Sequence, residues 1–320
     1  MTITVSHAEQ VEPVADVEPW RPGQPHAELA ADARWWLGSP MSFGLFGRLA
    51  LDQVAYRPVA AAVDRSGRFR ENFADRGIRS YAYAMLLLFG DDRDRQRDTE
   101  ELKRLHRDVR GAGNGEFADT RYSALDPHLW RWIAVSGINL FYRGYIALHG
   151  DLDAEQREVV YRTVRWMHSA LELPSGQTTL PRTTTEMMEY YDSVAAEHLA
   201  DNGFLLYARR SFNALPMPSL LSPKPIRVLM RPLWSAVVPV ALRAPRLCAE
   251  SQAHPRMREL LGCDWTWRDR LEYRLYLTGA RLAWRHLPRR LVLDPLVYNR
   301  YRYERLRGGY RRMQLDSFAA

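Results

Sequence analysis

The chain has 320 residues, 46% apolar and 26% charged, the balance of a folded protein with a sizeable core rather than a disordered one. Its formal net charge of +7 comes from 43 Arg and 2 Lys against 38 acidic residues; so one-sided an Arg usage reflects genomic base composition as much as function, and it permits anionic partners without selecting one. Cys248 and Cys263 are the only cysteines, too few for a disulfide framework or a thiolate metal cage and in keeping with a reducing cytoplasm.

Residues 1–25 hold four prolines and little apolar periodicity, and read as a loose arm with neither the basic start nor the apolar h-region of a signal peptide. From His26 the pattern is helical. Helices are expected over Leu45–Val63, over Ile78–Phe89 closed by Gly90, and over Asp94–Arg110 ending at Gly111. Asp126 followed by Pro127 is an N-cap with proline in the first turn, opening a helix to His149 stopped by Gly150. Another runs from Asp153 to about Leu171, and Thr183-x-x-Glu186 reads as a capping box for a helix to about Leu199. Two more are expected near Ile226–Leu242 and Trp267–Leu287, with a mobile tail after Pro295. The apolar stretch Pro232–Leu242 is 11 residues long, short of the about 20 that cross a bilayer. No alternation reaches strand length, and the expected class is all-α, one domain.

Several common chemistries lack their residues. There is no H-E-x-x-H, no E-x-x-H pair of a di-iron bundle, no paired cysteines and no G-x-S-x-G. The run Gly111-Ala112-Gly113-Asn114-Gly115 follows a helix rather than a strand and lacks the Lys-Ser/Thr of a phosphate loop, so it reads as a connection. Single histidines remain. Leu102, Leu105, His106 and Val109 stand at i, i+3, i+4 and i+7, which puts His106 in an apolar stripe. A neutral imidazole there suits either a core histidine bonded to a backbone carbonyl or an axial haem ligand. His168, between Val164 and Leu171, and His198, below Tyr191 and Val194, are rivals; His149 reads as a helix C-terminal cap. One helix earlier Arg76, Arg79, Ser80 and Tyr83 share a face, either solvated or aiming donors at an oxygen-bearing group in a pocket.

Four stretches carry a resemblance: Arg76-Gly77-Ile78-Arg79-Ser80; Leu88-Phe89-Gly90-Asp91-Asp92; the run from Leu102 through Leu105-His106-Arg107 and Val109-Arg110 to Gly111; and Tyr122-Ser123-Ala124-Leu125-Asp126-Pro127 with Trp130 and Trp132. From about Leu45 to about Pro295 the chain resembles the MpaB and rubber-oxygenase (latex-clearing protein) catalytic domain. The resemblance implies a globin-like helical core around haem b, with His106 as the proximal iron ligand and Arg76, Arg79 and Ser80 on the opposite side. It implies dioxygen as co-substrate and oxidative cleavage of a C=C bond in a small apolar, isoprenoid-like substrate. With the arm (1–25) and the basic Arg/Tyr-rich tail (296–320) read from composition, the haem-binding oxygenase domain is expected over 26–295. Departures stand at Arg57-Pro58, Asp64-Arg65-Ser66 and Trp132-Ile133-Ala134, where many relatives carry histidine, and at Arg79, where they carry lysine. These leave open a haem enzyme of other chemistry: hydroxylation, desaturation or a peroxidase-like step. A haem-free helical binding protein is the alternative of another class. Its tail, with Tyr298, Tyr301, Tyr303 and Tyr310 among arginines, would touch nucleic acid or an anionic membrane surface. For the enzyme no specific nucleic acid is expected, and the tail is left a possible membrane-surface contact.

Overall fold

The computed structural model describes residues 18–46, 48–65, 67–71, 73–173, 179–220 and 223–316. The first 17 residues of the expected arm lie outside this set. Trp20, near its end, packs edge-on against Trp166 at 4.7 Å between ring centroids and stands under the Arg34 guanidinium, so the arm's end is docked.

Helices come first in the chain: α1 (Ala27–Leu37), α2 (Pro40–Phe46), α3 (Leu49–Val54), α4 (Arg57–Arg65), α5 (Arg68–Glu71), α6 (Phe73–Phe89) and α7 (Asp92–His106). The single helix expected over 45–63 is thus three short ones. A hairpin of two three-residue strands follows, β1 (Arg110–Ala112) and β2 (Arg121–Ser123), antiparallel with Gly111 opposite Tyr122. Helix α7 therefore stops before Gly111. The glycine-rich run enters a strand pair because a Cβ on Gly111, at φ 153°, would meet the Arg65 guanidinium. Next come α8 (Pro127–His149), α9 (Ala154–His168), α10 (Thr184–Glu197) and α11 (Gly203–Asn213). Asp126 caps α8 by accepting from the backbone N–H of His128 and Leu129 at 3.0 and 3.1 Å, and Gly150, at φ 83°, ends it. Thr183 caps α10, but Glu186 reaches back to the N–H of Arg182 rather than of Thr183, so the box is only half formed. The chain closes with α12 (Lys224–Ala241), α13 (Arg243–Ser251), α14 (Pro255–Leu260), α15 (Trp267–His286), α16 (Arg289–Val292) and α17 (Pro295–Asp316). The protein is all-α apart from the small hairpin.

Helix α8 is apolar nearly all round and is buried accordingly: Val135, Ile138 and Tyr145 are fully enclosed by α1, α2, α9 and α15. Asp32 of α1 ties this core together. It accepts from Tyr145 Oη at 3.0 Å, Trp284 Nε1 at 2.9 Å and Arg289 Nη2 at 2.8 Å. Burial alone would raise its pKa, but these donors and His149 outweigh it and hold the carboxyl below its ordinary value. A second cluster, with Phe117, Trp132, Phe204 and Met257, gathers α3, α4, α10, α11 and the hairpin.

The segment expected as a mobile tail is helix α17, and its first half is docked. Val297 is fully buried, Tyr301 meets Trp35 edge-on at 5.1 Å, and Arg34 forks onto Glu304 at 2.7 and 2.8 Å. Tyr298 and Tyr301 pack on the core rather than standing free; Tyr303 and Tyr310 stay exposed. The bilayer-length reading also changes. Arg227 and Arg231 interrupt the apolar run but not the helix, which continues with α13 from Lys224 to Ser251, 28 residues with mean hydropathy 1.3 in its apolar window, of which only 6% is buried. By length and composition this helix reaches membrane size.

Candidate functional site

His106 closes the last turn of α7. Its Nδ1 lies 2.8 Å from the carbonyl of Leu102; since a carbonyl only accepts, Nδ1 carries a proton, and in the neutral ring the lone pair is then on Nε2. The ring is half-buried, edge-on to Trp130 at 5.8 Å, and Trp130 is itself fixed by donating Nε1 to the Leu171 carbonyl at 2.6 Å. The stripe expected to be core is not: Leu105 is 54% exposed and Val109 38%. What α7 buries is Arg95 and Thr99. Against that face lies a hollow of about 180 Å³ between Arg95, Thr99, Lys103 and Ala170.

His168 repeats the local geometry, Nδ1 to the Val164 carbonyl at 2.8 Å, in other surroundings. It is buried against Phe141 and the bare backbone of Gly137. Burial, with the Arg95 cation behind it, lowers its pKa to about 4. This is a neutral, packed core histidine with no room for a macrocycle at Nε2. His198 is exposed and stacks flat on Tyr56 at 4.8 Å, with Glu197 3.9 Å from Nε2. It borders an open cleft of about 1070 Å³ between the hairpin, the start of α8 and the end of α10, lined also by Arg110, Arg121, Asp126 and His128. None of Arg76, Arg79, Ser80 or His106 borders that cleft.

Helices α6 and α7 form an antiparallel pair turning at Gly90, pinned midway where Tyr83 Oη donates to the Asp98 carbonyl. Both strands of this hairpin run from the turn toward one open end. Arg76, Arg79 and Ser80 lie on the α6 half of that end and His106 on the α7 half. All three α6 residues are exposed; no hydrogen bond joins any two of the four among the described residues. Asp75, which sequence reasoning missed, anchors this end of α6: its carboxylate accepts from Ser219 Oγ and, at 3.0 Å, from the Leu220 N–H. Burial opposes ionisation there, but those bonds and the Arg79 cation hold the Asp75 carboxyl below its ordinary value. No local signal could have found a pairing across 144 residues.

Two departures have structural work. Arg57 donates to Thr120 Oγ1 at 2.9 Å and Asp119 Oδ1 at 2.8 Å, and Arg65 to Tyr122 Oη at 3.1 Å, so both clamp the hairpin. Ser66 lies outside the described residues. Ala134 is buried in the α8 core and offers no proton.

A single imidazole is what the site offers a haem iron. No group of three or more His, Cys, Asp or Glu side chains among the described residues could cage a metal ion, and a haem iron needs only one protein ligand. His106, protonated on Nδ1, would be that single ligand, and Leu105 and Val109 beside it stand uncovered. Residues 33–282, which include all four candidates, match the catalytic domain of the ER-bound oxygenase mpaB/B'/rubber oxygenase family. The chain belongs to that family. Its family is one of oxygenases, which act with dioxygen. Two proteins named only as uncharacterised, from Mycobacterium bovis and Mycobacterium tuberculosis, are each 24% identical to this oxygenase-family chain over 263 residues, 80% of its length and 91% of theirs. No solved structure matches it.

Proposed function

We propose that this oxygenase-family member is a haem b enzyme that uses dioxygen to oxidise a small, largely apolar, isoprenoid-like substrate, with oxidative C=C cleavage as the reaction. The observation that carries the reading is His106, whose Nδ1 proton is committed to the Leu102 carbonyl at 2.8 Å while the ring is half-buried beside the exposed Leu105 and Val109. When bound, haem b supplies an iron that takes up dioxygen and carries the electrons of the oxidation. His106 would hold that iron through Nε2, and the Leu102 carbonyl, by taking the other ring proton, orients the imidazole and makes Nε2 the better donor. Leu105 and Val109, uncovered beside it, would offer the haem apolar contact. Arg76 and Ser80 would donate hydrogen bonds to an oxygen-bearing group, one as a permanent cation and the other as a neutral hydroxyl. Arg79 assists as a second cation; its guanidinium keeps its proton and takes no place as an iron ligand.

The protein purified from cells supplied with a haem precursor is expected to show a Soret band and, with a candidate olefin under oxygen, to give aldehyde and ketone fragments. Absence of the band overturns the reading. A product with its carbon skeleton intact favours the second reading, hydroxylation, desaturation or a peroxidase-like step, to which the methyl group of Ala134 lends support because it moves no proton.

A further inference from the structure

The cleft of about 1070 Å³ has a cationic wall, the hairpin. Across its ladder Arg110 pairs with Ser123 and Ala112 with Arg121. Paired residues share a face and successive residues alternate, so Arg110 and Arg121 stand on one face, set diagonally at ~7–8 Å. Both are exposed and both line the cleft. Among the described residues neither side chain makes an ion pair or a hydrogen bond. Arg57 and Arg65 of α4, by contrast, are engaged by Asp119 and Tyr122 of the hairpin. Two like charges on one ladder face repel, and an anion between them relieves both.

The carboxylates of the cleft do not answer these arginines. Asp126 caps α8, and Glu197 accepts from Ser193 Oγ at 3.1 Å and faces His198. Both bear on the Tyr56 hydroxyl, whose pKa is raised first by burial and then by these two charges. The α10 wall selects the rest of the ligand. Tyr56 is held at the end of α10 by a bridge to Leu199, and it stacks flat on His198, 4.8 Å between centroids and 5° between planes. His198 keeps 45% of its side chain exposed, and Tyr190 and Val194 border the same cleft. A flat ring extends such a stack, and a cleft of this size takes a small organic molecule rather than a bare ion.

We propose that this cleft is a second binding site, for a small aromatic anion whose carboxylate or phosphate lies on Arg110 and Arg121 and whose ring packs against the Tyr56–His198 stack. Paired guanidiniums suit the planar, multidentate oxygens of either head group. His106, Arg76, Arg79 and Ser80 do not border the cleft, so this inference does not rest on the haem reading, and its test uses no enzymatic activity.

Full-length protein is titrated calorimetrically with naphthoate and naphthyl phosphate, and with naphthol, naphthylmethylamine and inorganic phosphate, which separate the ring from the charge. Each naphthyl anion should bind at least about tenfold tighter than naphthol, the least that a charged hydrogen bond contributes; the tighter of the two names the head group. Arg110→Gln with Arg121→Gln should weaken naphthoate by about tenfold or more. His198→Ala should weaken it about two- to tenfold, the range of one ring pair, and leave inorganic phosphate within about twofold. All three side chains are exposed, so an unchanged melting temperature shows that the variants are folded. Arg307→Gln with Arg311→Gln removes the same charge from residues that do not border the cleft, and should leave naphthoate within about twofold. The proposal is overturned if the wild type binds neither naphthyl anion, if naphthol or naphthylmethylamine binds as tightly as naphthoate, or if inorganic phosphate matches naphthyl phosphate. It is equally overturned if either cleft variant binds naphthoate as wild type does, or if the α17 variant loses as much as the arginine variant of the cleft.

Discussion

His106 at the end of α7 and His168 at the end of α9 each place Nδ1 2.8 Å from the carbonyl four residues earlier. Around His168 the chain supplies Phe141, Gly137 and the Arg95 charge, and the ring is sealed in. Around His106 it supplies one tryptophan edge and exposed leucine and valine. Helical spacing therefore fixes the tautomer in both places, while the neighbouring elements decide whether the second nitrogen is available. One residue type, in one local geometry, is sealed core filler in one region and half-buried beside exposed apolar side chains in the other.

The comparison breaks most readily at haem content. His106→Ala should lose most bound haem and with it turnover, whereas His168→Ala should keep the wild-type spectrum as far as it folds; equal loss in both would erase the distinction. Arg76→Ala and Ser80→Ala should leave the spectrum and slow turnover by about 10- to 1000-fold, the range for one preorganised donor. Arg79→Lys gives an optical readout of the same face. Lysine can shed its proton and bind iron, so a low-spin six-coordinate ferric spectrum should grow in as pH rises, and an unaltered spectrum would turn α6 away from the haem.

Acid unfolding sharpens the contrast from the other side. His168 has a folded pKa of about 4 against 6.5 when free. The unfolded chain binds the extra proton, so stability is full above about 6.5 and falls as pH drops toward 4, by up to about 3 kcal/mol. In denaturant melts His168→Gln should flatten that window and His106→Gln should not. The smallest expected effect is a control. Hydrogen bonds from Thr266, together with Arg243, hold Asp269 at about 2 against 3.8, so its contribution is present above about 3.8 and lost as pH falls toward 2. Thr266→Ala should cost about 1 kcal/mol at neutral pH, as loss of a helix cap does, and leave the His168 window where it was.

Elements signalled by a few adjacent residues were legible in the sequence. Asp126-Pro127 and Gly150 bracket α8 as read, and Asp153 caps α9 with Gln156 answering it. His106, Arg76, Arg79 and Ser80 were legible as patterns on their helices. Other features depended on partners far along the chain. The three-residue strands are too short to alternate and exist because Arg57 and Arg65 of α4 hold the hairpin. Helix α17 reads as a solvated Arg/Tyr run until α1 is there to receive Tyr301 and Glu304. The apolar spacing in α7 reads as a core stripe because periodicity tells which residues share a face and not what that face meets.

The clasp between Arg34 of α1 and Glu304 of α17 spans 270 residues of chain. At ribosomal rates, α1 emerges on the order of 10 to 60 seconds before its partner helix. Through that interval a guanidinium destined for burial has no carboxylate, and Trp35 lacks the tyrosine that covers it. The newborn chain can shape α8 and α9 early, but α1 and α17 meet only once α17 has been made. A stalled or clipped chain that stops short of α17 is therefore left with an open seam along α1, a surface for chaperones and proteases to read.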